Sequence, residues 1–331
     1  MNLFFLTKIL SEYPKYRREQ AKRLIFVDLI EGWDEATTLP GELREELNKE
    51  CPLDINAEIF ESKDKKTLKV LIELGDGQKI ETVLMRYESE RNTVCVSSQV
   101  GCALGCDFCA TGKLGFRRNL TVDEIASQVL FFARLLKKKD DKITNVVFMG
   151  MGEPFLNYDN VLESIKILND QKGFNLGARH FSVSTVGIVE GIKKLAEEPF
   201  QINLAISLHA PGDELRSKLM PVNKKYQINE ILKLVDDYIK KTNRKVMFEY
   251  IMIDGVNDSA RHARELAKLM KKPLYFINLI PCNPVGDFKA SPQAQIEKFK
   301  KILKERGVQV NQRYSFGQDI KAACGQLAGR S

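Results

Sequence analysis

Long apolar runs are absent from this 331-residue sequence. The first residues offer only the run Leu3-Phe4-Phe5-Leu6 before Lys8. That run is shorter than the apolar core of a secretory signal peptide and far shorter than a membrane span. We therefore expect a cytoplasmic protein that has no membrane partner.

Fixed-period repeats and low-complexity stretches are also missing, and nothing in the composition indicates disorder. Apolar residues make up 44% of the chain and charged residues 29%, as in ordinary globular proteins. The length accommodates one large α/β domain and a small appendage. We predict an accessory domain over residues 1–90 and a main domain over residues 91–331.

Histidine is scarce, with three residues, and the first of them is His180. The seven cysteines are an odd number, and they occur in a sequence without an export signal. They therefore indicate metal-binding or catalytic thiols more than a disulfide framework. Cys51 and Cys282 belong to no motif, and inert buried thiols are the simplest interpretation for these two.

The net charge of +7 is modest, but the basic residues are unevenly distributed. One basic group lies between Lys15 and Arg23, and a second lies between Lys113 and Arg118. Each group is compatible with a solvated helix face and with binding to a polyanion. Charge alone leaves both interpretations open.

The hydrophobic pattern predicts a chain of alternating strands and helices. Two short helices broken near Pro14 come first. The predicted strands are 55–60, 68–74, 80–86, 94–97, 143–149, 181–184, 202–207, 245–251, 274–279 and 308–310. The predicted helices are 122–136, 161–168, 228–239, 260–270 and 292–303, with Thr121, Asn229 and Ser291 as candidate N-caps. Repeated β–α units imply a parallel sheet, open or closed into a barrel, with functional groups at the C-terminal strand ends.

The most specific motif is C-x3-C-x2-C, formed by Cys102, Cys106 and Cys109 on one glycine-bearing loop. Three thiolates at this spacing can bind three irons of a [4Fe–4S] cluster and leave the fourth iron open for an external ligand. A zinc site and structural cysteines are the alternatives. Zinc normally requires four protein ligands, and no fourth Cys or His lies nearby in the sequence.

Three more loops with polar or glycine residues follow predicted strands: 150–154 (GMGEP), 184–185 (ST) and 207–209 (SLH). A glycine-rich turn lets the backbone approach a ligand, and the Glu153 carboxylate can accept a hydrogen bond from an ammonium group. Each loop by itself is equally compatible with an ordinary β-to-α turn. A single histidine such as His209 is more often structural than a ligand.

Together these motifs resemble the RlmN and Cfr family of radical S-adenosylmethionine (SAM) RNA methyltransferases. The resemblance is carried by CVSSQVGCALGCDFCATGKLGFRRN (95–119), GMGEP, SLHA, LMPVN and the tail DIKAACGQLAG. It is weaker in the first 90 residues. It implies an α/β fold, a radical SAM partial (β/α)6-type barrel with a small N-terminal α+β accessory domain that contacts RNA. It also implies a [4Fe–4S] cluster and SAM as cofactors.

The resemblance implies a role for individual residues. Cys102, Cys106 and Cys109 would bind the cluster. SAM would contact Gly152, Glu153, Ser184, Ser207, Leu208, His209 and Asn283. Cys324 would carry the methyl group as S-methylcysteine, Cys95 would resolve it through a transient disulfide, and Glu81 would be the proton acceptor. One residue more separates Glu81 from Cys95 than the family pattern has.

The implied reaction explains why two cysteines are needed. An adenine C2 or C8 carbon has no nucleophilic or acidic character, so a radical route is required. A first SAM would methylate Cys324, and cleavage of a second SAM would activate that methyl group for addition to the base. Cys95 would then attack the Cys324 sulfur, which forms a disulfide and releases methylated RNA.

The resemblance also implies the substrates. RlmN-like enzymes methylate adenosine C2 in large-subunit (23S) rRNA and in tRNA next to the anticodon, whereas Cfr-like enzymes methylate C8 of the ribosomal adenosine. Pro154 favours C2 and Phe316 favours C8, and we expect C2. An electron donor such as flavodoxin or ferredoxin and a monomeric state are further expectations.

Two other classes of function remain open from the sequence. One is a radical SAM enzyme that acts on a small molecule or a peptide. The other is a non-catalytic, zinc-stabilised RNA-binding protein. Metal content and methyl transfer into RNA distinguish these classes.

Overall fold

The chain begins with a helical segment. The computed structural model describes residues 3–329, with side chains from residue 6 onward. The first helices are α1 (Leu3–Leu10), α2 (Lys15–Phe26) and α3 (Gly41–Glu50). Pro14 is the N-cap residue of α2, so its restricted φ separates the first two helices as predicted. Helix α3 carries no signal that we recognised in the sequence.

A ten-stranded sheet forms the centre of the described part of the chain. The strands are β1 (Ala57–Glu61), β2 (Thr67–Glu73), β3 (Lys79–Arg86), β4 (Asn92–Val96), β5 (Gln99–Gly101), β6 (Phe116–Asn119), β7 (Asn145–Phe148), β8 (Phe181–Thr185), β9 (Asn203–Ser207), β10 (Val246–Met252), β11 (Tyr275–Pro281) and β12 (Val310–Gln312). The sheet order is β1-β2-β3-β4-β7-β8-β9-β10-β11-β12. Within this sheet, β1 to β4 pair antiparallel. The remaining neighbours pair parallel, in the order β4, β7, β8, β9, β10, β11 and β12. Strands β5 and β6 form a separate antiparallel pair.

Helices connect the parallel strands. They are α4 (Ala110–Lys113), α5 (Val122–Lys137), α6 (Tyr158–Asn169), α7 (Val189–Glu197), α8 (Asp213–Leu219), α9 (Ile228–Thr242), α10 (Ala260–Met270) and α11 (Gln293–Glu305). Every pair of successive parallel strands has at least one helix between them. Strands β4 and β12 do not pair with each other, so the barrel is open. The predicted partial (β/α)6-type barrel is confirmed.

The helix starts test the predicted N-caps. Thr121 caps α5, because its hydroxyl accepts from the amide of Glu124 while the Glu124 carboxylate accepts from the amide of Thr121. The prediction of Asn229 is wrong. Helix α9 starts at Ile228, whose amide donates to Asp213 Oδ1 at 2.9 Å. That partner lies 15 residues away, so a local pattern could not reveal it.

The prediction of Ser291 as an N-cap is also wrong, since Pro292 holds that position before α11. The short helices α7 and α8 were not predicted either. No helix within residues 3–329 is both long enough and apolar enough to span a membrane.

Buried apolar residues form two clusters whose division differs from the predicted domain boundary. The first cluster runs from Leu6 to Leu53 and encloses the fully buried Trp33. The second contains the barrel and also the apolar residues of β2 and β3. Because β3 pairs with β4 from Val83↔Cys95 to Arg86↔Asn92, the N-terminal strands extend the barrel sheet. The boundary at residue 90 stays a prediction.

Candidate active site

The cysteine loop follows β5 and is fixed by local contacts. Cys102 and Cys106 are buried, and Cys109 is half-buried. The amide of Cys109 donates to the carbonyl of Cys106 at 3.0 Å, and the amide of Cys102 donates to Gly115 at 3.0 Å. Gly101 has φ +73°, and a Cβ there would lie 1.8 Å from the Gly115 carbonyl oxygen. Only glycine therefore fits this position.

The three thiols line one cavity of about 160 Å³ at the C-terminal ends of the parallel strands. We call it the barrel cavity. Of the predicted site residues it is lined by Cys102, Cys106, Cys109, Gly152, Glu153, Ser184, Ser207, His209 and Cys324. The fold thus brings together residues from several separate loops. Leu208, Asn283, Glu81 and Cys95 do not line this cavity.

The arrangement of the three thiols is compatible with a multi-iron cluster. Burial and then the neighbouring Cys109 and Cys102 raise the pKa of Cys106, so ionisation of these thiols requires a nearby cation. Among the described residues, no group of three or more His, Cys, Asp or Glu side chains is arranged around the position of one metal ion. Three thiols on separate corners of a [4Fe–4S] cluster do not need to converge on one point.

Glu153 places a buried carboxylate at the edge of the barrel cavity. Its Oε1 accepts from the amide of Phe155 at 3.0 Å, and its Oε2 accepts from the amide of Val186 at 2.9 Å. Burial raises the pKa of Glu153 to about 7, partly offset by these hydrogen bonds. A cationic ligand group in the cavity would favour the ionised form. Gly152 is required beside it, since a Cβ at φ +98° would meet Gln99 Cβ at 2.5 Å.

Ser184, Ser207 and His209 lie at the ends of neighbouring strands. The hydroxyl oxygens of Ser184 and Ser207 are 3.4 Å apart. His209 Nδ1 accepts from the amide of Ile251 at 3.1 Å, and burial lowers the pKa of His209 to about 3. The ring is therefore neutral, and its edge packs on Phe108 in the cysteine loop. These groups offer polar contacts of fixed orientation to a ligand.

Arg216 supports the same strand ends and was not predicted. It is fully buried, and its guanidinium donates to the carbonyls of Leu208, Ser207 and Val186. Two further donations reach the side chain of Asn223 and the carbonyl of Tyr226. All five acceptors are neutral, so none of these hydrogen bonds compensates the positive charge with a carboxylate. That charge favours the thiolate form of Cys106.

Cys324 lines the barrel cavity and also a second cavity of about 90 Å³, which we call the tail cavity. The Cys324 side chain is exposed where these two cavities meet. Cys95 lies on β4 and lines the tail cavity as well. Burial, and then the neighbouring Cys324, raises the pKa of Cys95 to about 12. Both are free thiols in the structure.

The barrel cavity also contains a charged pair that no sequence motif indicated. Arg313 Nη1 lies 3.5 Å from Glu249 Oε2. That Glu249 oxygen has no hydrogen-bond partner, whereas its other oxygen accepts from Asn278 at 3.0 Å. The Arg313 charge opposes the effect of burial on the pKa of Cys324. A charged residue inside a mostly apolar predicted strand, as Glu249 is in 245–251, is a signal that could have indicated this pair.

The segment that carries Cys324 is docked by contacts from distant elements. Asn283 Nδ2 donates to the Cys324 carbonyl at 2.9 Å. The amide of Ala110 donates to Gly325 at 2.7 Å, and the Thr111 hydroxyl donates to Leu327 at 2.6 Å. Asn283 therefore lies beside the predicted methyl-carrying cysteine without lining the barrel cavity.

Comparison with known proteins identifies the class first. The model of the Radical SAM superfamily matches residues 96–267, and the chain belongs to this superfamily. A crystal structure of a radical SAM methyltransferase from Sphaerobacter thermophilus has 44% identity and a TM-score of 0.95, and the match covers 100% of this chain and 98% of that one.

The particular family follows from curated relatives. A protein of Dictyoglomus thermophilum named "Probable dual-specificity RNA methyltransferase RlmN" is 48% identical over 95% of this chain and 90% of its own. "Ribosomal RNA large subunit methyltransferase N" of Nitrosopumilus maritimus is 47% identical over 95% of this chain and 93% of its own. The chain therefore belongs to the RlmN family of radical SAM RNA methyltransferases. It is an RNA methyltransferase that uses SAM and a [4Fe–4S] cluster, which excludes the zinc-protein and small-molecule interpretations.

Proposed function

We propose that the protein methylates C2 of an adenosine in 23S rRNA and in tRNA next to the anticodon, through a methyl-cysteine on Cys324, consuming two SAM. The observation that carries this proposal is the place of Cys324. It lines the barrel cavity together with Cys102, Cys106 and Cys109, and it lines the tail cavity together with Cys95. One thiol thus faces both the cofactor side and a second thiol.

Cys102, Cys106 and Cys109 would hold the cluster, which would supply the electron for cleavage of SAM. Glu153 accepts from the ammonium group of SAM beside the close backbone of Gly152. The remaining polar groups of SAM contact Ser184, Ser207 and His209. Leu208 contributes through the position of its backbone, and Asn283 contributes by docking the segment that carries Cys324. Arg216 keeps the ends of β8 and β9 in place for these contacts.

Cys324 and Cys95 have successive tasks. The Cys324 thiolate, which Arg313 stabilises, attacks the methyl carbon of the first SAM, and S-adenosylhomocysteine leaves as the S–CH3 bond to Cys324 forms. After the methyl carbon is bonded to adenine C2, the Cys95 thiolate attacks the Cys324 sulfur. The S–S bond forms as the carbon–sulfur bond breaks, the electron pair remains with the methylene carbon, and addition of a proton to that carbon completes the methyl group. Burial raises the pKa of Cys95 and so favours its thiol form before that step.

C8 methylation is the competing outcome. Pro154 begins a 3-10 turn directly after Glu153, and a proline at this position favours C2 through the resemblance to RlmN-like enzymes. Phe316 favours C8, and its ring packs against Tyr87 with centroids 4.8 Å apart at the rim of the tail cavity. The Dictyoglomus thermophilum relative is named a dual-specificity RNA methyltransferase, which supports action on two kinds of RNA.

The experiment is nucleoside mass spectrometry after anaerobic reaction with SAM, a reductant, and either rRNA or tRNA. The two methyladenosines have the same mass, so retention against synthetic 2-methyl and 8-methyl standards must separate them. We expect 2-methyladenosine from both RNAs and none with Cys324→Ala. Formation of 8-methyladenosine alone would replace C2 by C8. We propose flavodoxin or ferredoxin as the reductant in this assay. We also propose that the protein is a monomer, which light scattering measures separately.

RNA phosphates have two candidate contact regions. The first region is the segment from Lys113, at the end of α4, to Arg117 on β6, which we call the hairpin. Its residues Lys113, Phe116 and Arg117 are exposed beside the cysteine loop. In the proposed RNA-contacting accessory domain, Arg17 donates to Thr38 and Arg18 donates to Leu10, so both guanidiniums also have local partners. An exposed aromatic ring between cations is typical of contacts to unstacked bases and phosphates.

The hairpin is therefore expected to bind RNA more strongly than the helical segment. In a salt titration of RNA binding, Lys113→Glu with Arg117→Glu should lower the slope by about one unit for each phosphate that the protein no longer neutralises. Arg17→Glu with Arg18→Glu is the matched comparison and should have the smaller effect. Unchanged binding in both variants means that both groups are only solvated surface.

A further inference from the structure

Glu81 lies on β3 and forms a buried ion pair. Its Oε1 is 2.8 Å from Lys69 Nζ on the neighbouring strand β2. The Glu81 and Lys69 side chains are 1% and 5% exposed, so water does not screen the pair. Its Oε2 accepts from the amides of Ala328 and Gly329, at 2.5 Å and 3.0 Å. Both carboxylate oxygens are thus engaged.

The two amides belong to the segment that carries Cys324. Ala328 is four residues beyond Cys324, and the intervening chain is tied to α4 through Gly325 and Leu327. The Glu81 carboxylate is the last of these attachments along the chain. It spans 247 residues of sequence between β3 and the tail.

The same geometry bears on proton transfer. A proton acceptor needs a lone pair within hydrogen-bond distance of the reacting base. Glu81 lines neither the barrel cavity nor the tail cavity, where Cys324 meets its partners. Its oxygens face Lys69 and the tail backbone. Glu249, in contrast, lines the barrel cavity with one oxygen lacking a hydrogen-bond partner.

We propose that Glu81 and Lys69 are a positioning pair that holds the tail so that Cys324 stays between the two cavities. The proposal rests on the proposed function of Cys324. Lys69 neutralises the buried charge and fixes the orientation of the carboxylate, and the carboxylate holds two adjacent backbone amides. This role differs from that of a proton acceptor, and the two can be separated by experiment.

The first test removes the pair without leaving a buried charge. Glu81→Val with Lys69→Met deletes both charges together, because a single substitution would leave the partner unpaired and could prevent folding. In the full-length protein we expect hydrogen exchange of the 328 and 329 amides to accelerate about tenfold or more. Alkylation of Cys324 by iodoacetamide should accelerate as well. Exchange in β10 and α9 should not change.

The control is an exposed ion pair in the same strand region. Glu88→Val with Lys66→Met removes the Lys66–Glu88 contact of 2.9 Å, whose side chains are 45% and 87% exposed. This control should leave tail exchange and Cys324 alkylation as in the wild type. Equal tail exchange in the wild type and in the Glu81→Val/Lys69→Met variant would overturn the proposal.

The second test separates positioning from proton transfer. Glu81→Gln with Lys69→Gln is neutral, and the Gln carbonyl oxygen can still accept from both tail amides. Positioning predicts that this variant restores most of the tail protection. In reactions with RNA, the ratio of protein–RNA covalent adduct to released product should match that of the wild type, even if the overall rate falls.

A protected tail combined with accumulation of the covalent adduct in this neutral variant would overturn the proposal and assign proton transfer to Glu81. Failure of the proposed function is recognised separately. It would appear as wild-type protein whose Cys324 peptide gains no methyl group from SAM. The exchange and alkylation measurements do not depend on methyl transfer, so they test the positioning pair in either case.

Discussion

The cysteine loop and the C-terminal tail each supply reactive thiols, but they are built in different ways. Cys102, Cys106 and Cys109 lie within eight residues, and hydrogen bonds inside the loop and to Gly115 shape it. Cys324 is placed by partners far away in sequence, such as Thr111, whose contact to Leu327 spans 216 residues. The proposed cluster ligands are therefore encoded locally here, whereas the position of the proposed methyl-carrying thiol requires the completed fold.

The largest expected effect breaks the loop side of this comparison. Cys106→Ala should abolish iron retention and SAM cleavage, because two thiols cannot hold three corners of the cluster. The fold should remain, with a loss of about 1 kcal/mol in the free energy of unfolding. Iron analysis and thermal unfolding measure the two quantities. SAM cleavage at the wild-type rate would refute the assignment of the cluster ligands.

Substitutions of Cys324 and Cys95 should have different effects, because the two thiols are proposed to act in different steps. Cys324→Ala should retain iron and lose methylation completely, because no atom accepts the first methyl group. Cys95→Ala should still form the bond to RNA and then fail to break it. A denaturant-resistant protein–RNA band should accumulate only with SAM and reductant, and nuclease should remove it. Identical behaviour of the two variants would contradict the methyl-cysteine mechanism.

A pair of glycines sharpens the comparison at the level of the backbone. Gly101→Ala places a Cβ 1.8 Å from a carbonyl oxygen at φ +73°, which should cost about 3 kcal/mol and weaken iron retention. Gly325→Ala in the tail meets the Phe108 carbonyl oxygen at 3.1 Å at φ +83°, and about 1 kcal/mol is expected. Chemical denaturation measures both. Equal losses would mean that loop and tail are equally constrained.

The smallest effect is a difference in reactivity between Cys324 and Cys95, the two thiols that line the tail cavity. Because burial raises the pKa of Cys95 to about 12 from an ordinary 9.0, its protonated form is favoured in the folded state. This contribution to stability is complete below pH 9 and is lost as the pH rises towards 12. At a pH of about 8, below the ordinary thiol pKa, iodoacetamide should modify Cys324 faster than Cys95, as peptide mass spectrometry can show. Faster modification of Cys95 would contradict the protection that burial gives to this thiol.

The sequence also predicted much of the fold. The apolar periodicity predicted a strand at 245–251 and a helix at 260–270. The structure has β10 at Val246–Met252 and α10 at Ala260–Met270. Such patterns depend on the side-chain directions of strand and helix, which are local properties. The start of α9 at Ile228 was predicted correctly, but its N-cap Asn229 was predicted wrongly, because Asp213 from a different helix accepts from the Ile228 amide.

The sequence by itself determined the cluster ligands as candidates, the glycine-bearing loops and the alternation of strands and helices. Each of these depends on the spacing of residues along the chain. Only the tertiary structure placed Glu81 against Lys69 and the tail, Arg216 beneath the strand ends, and Glu249 beside Arg313. The physical reason is that a buried charge acquires its partner from whatever element packs against it, and spacing along the chain does not contain that information.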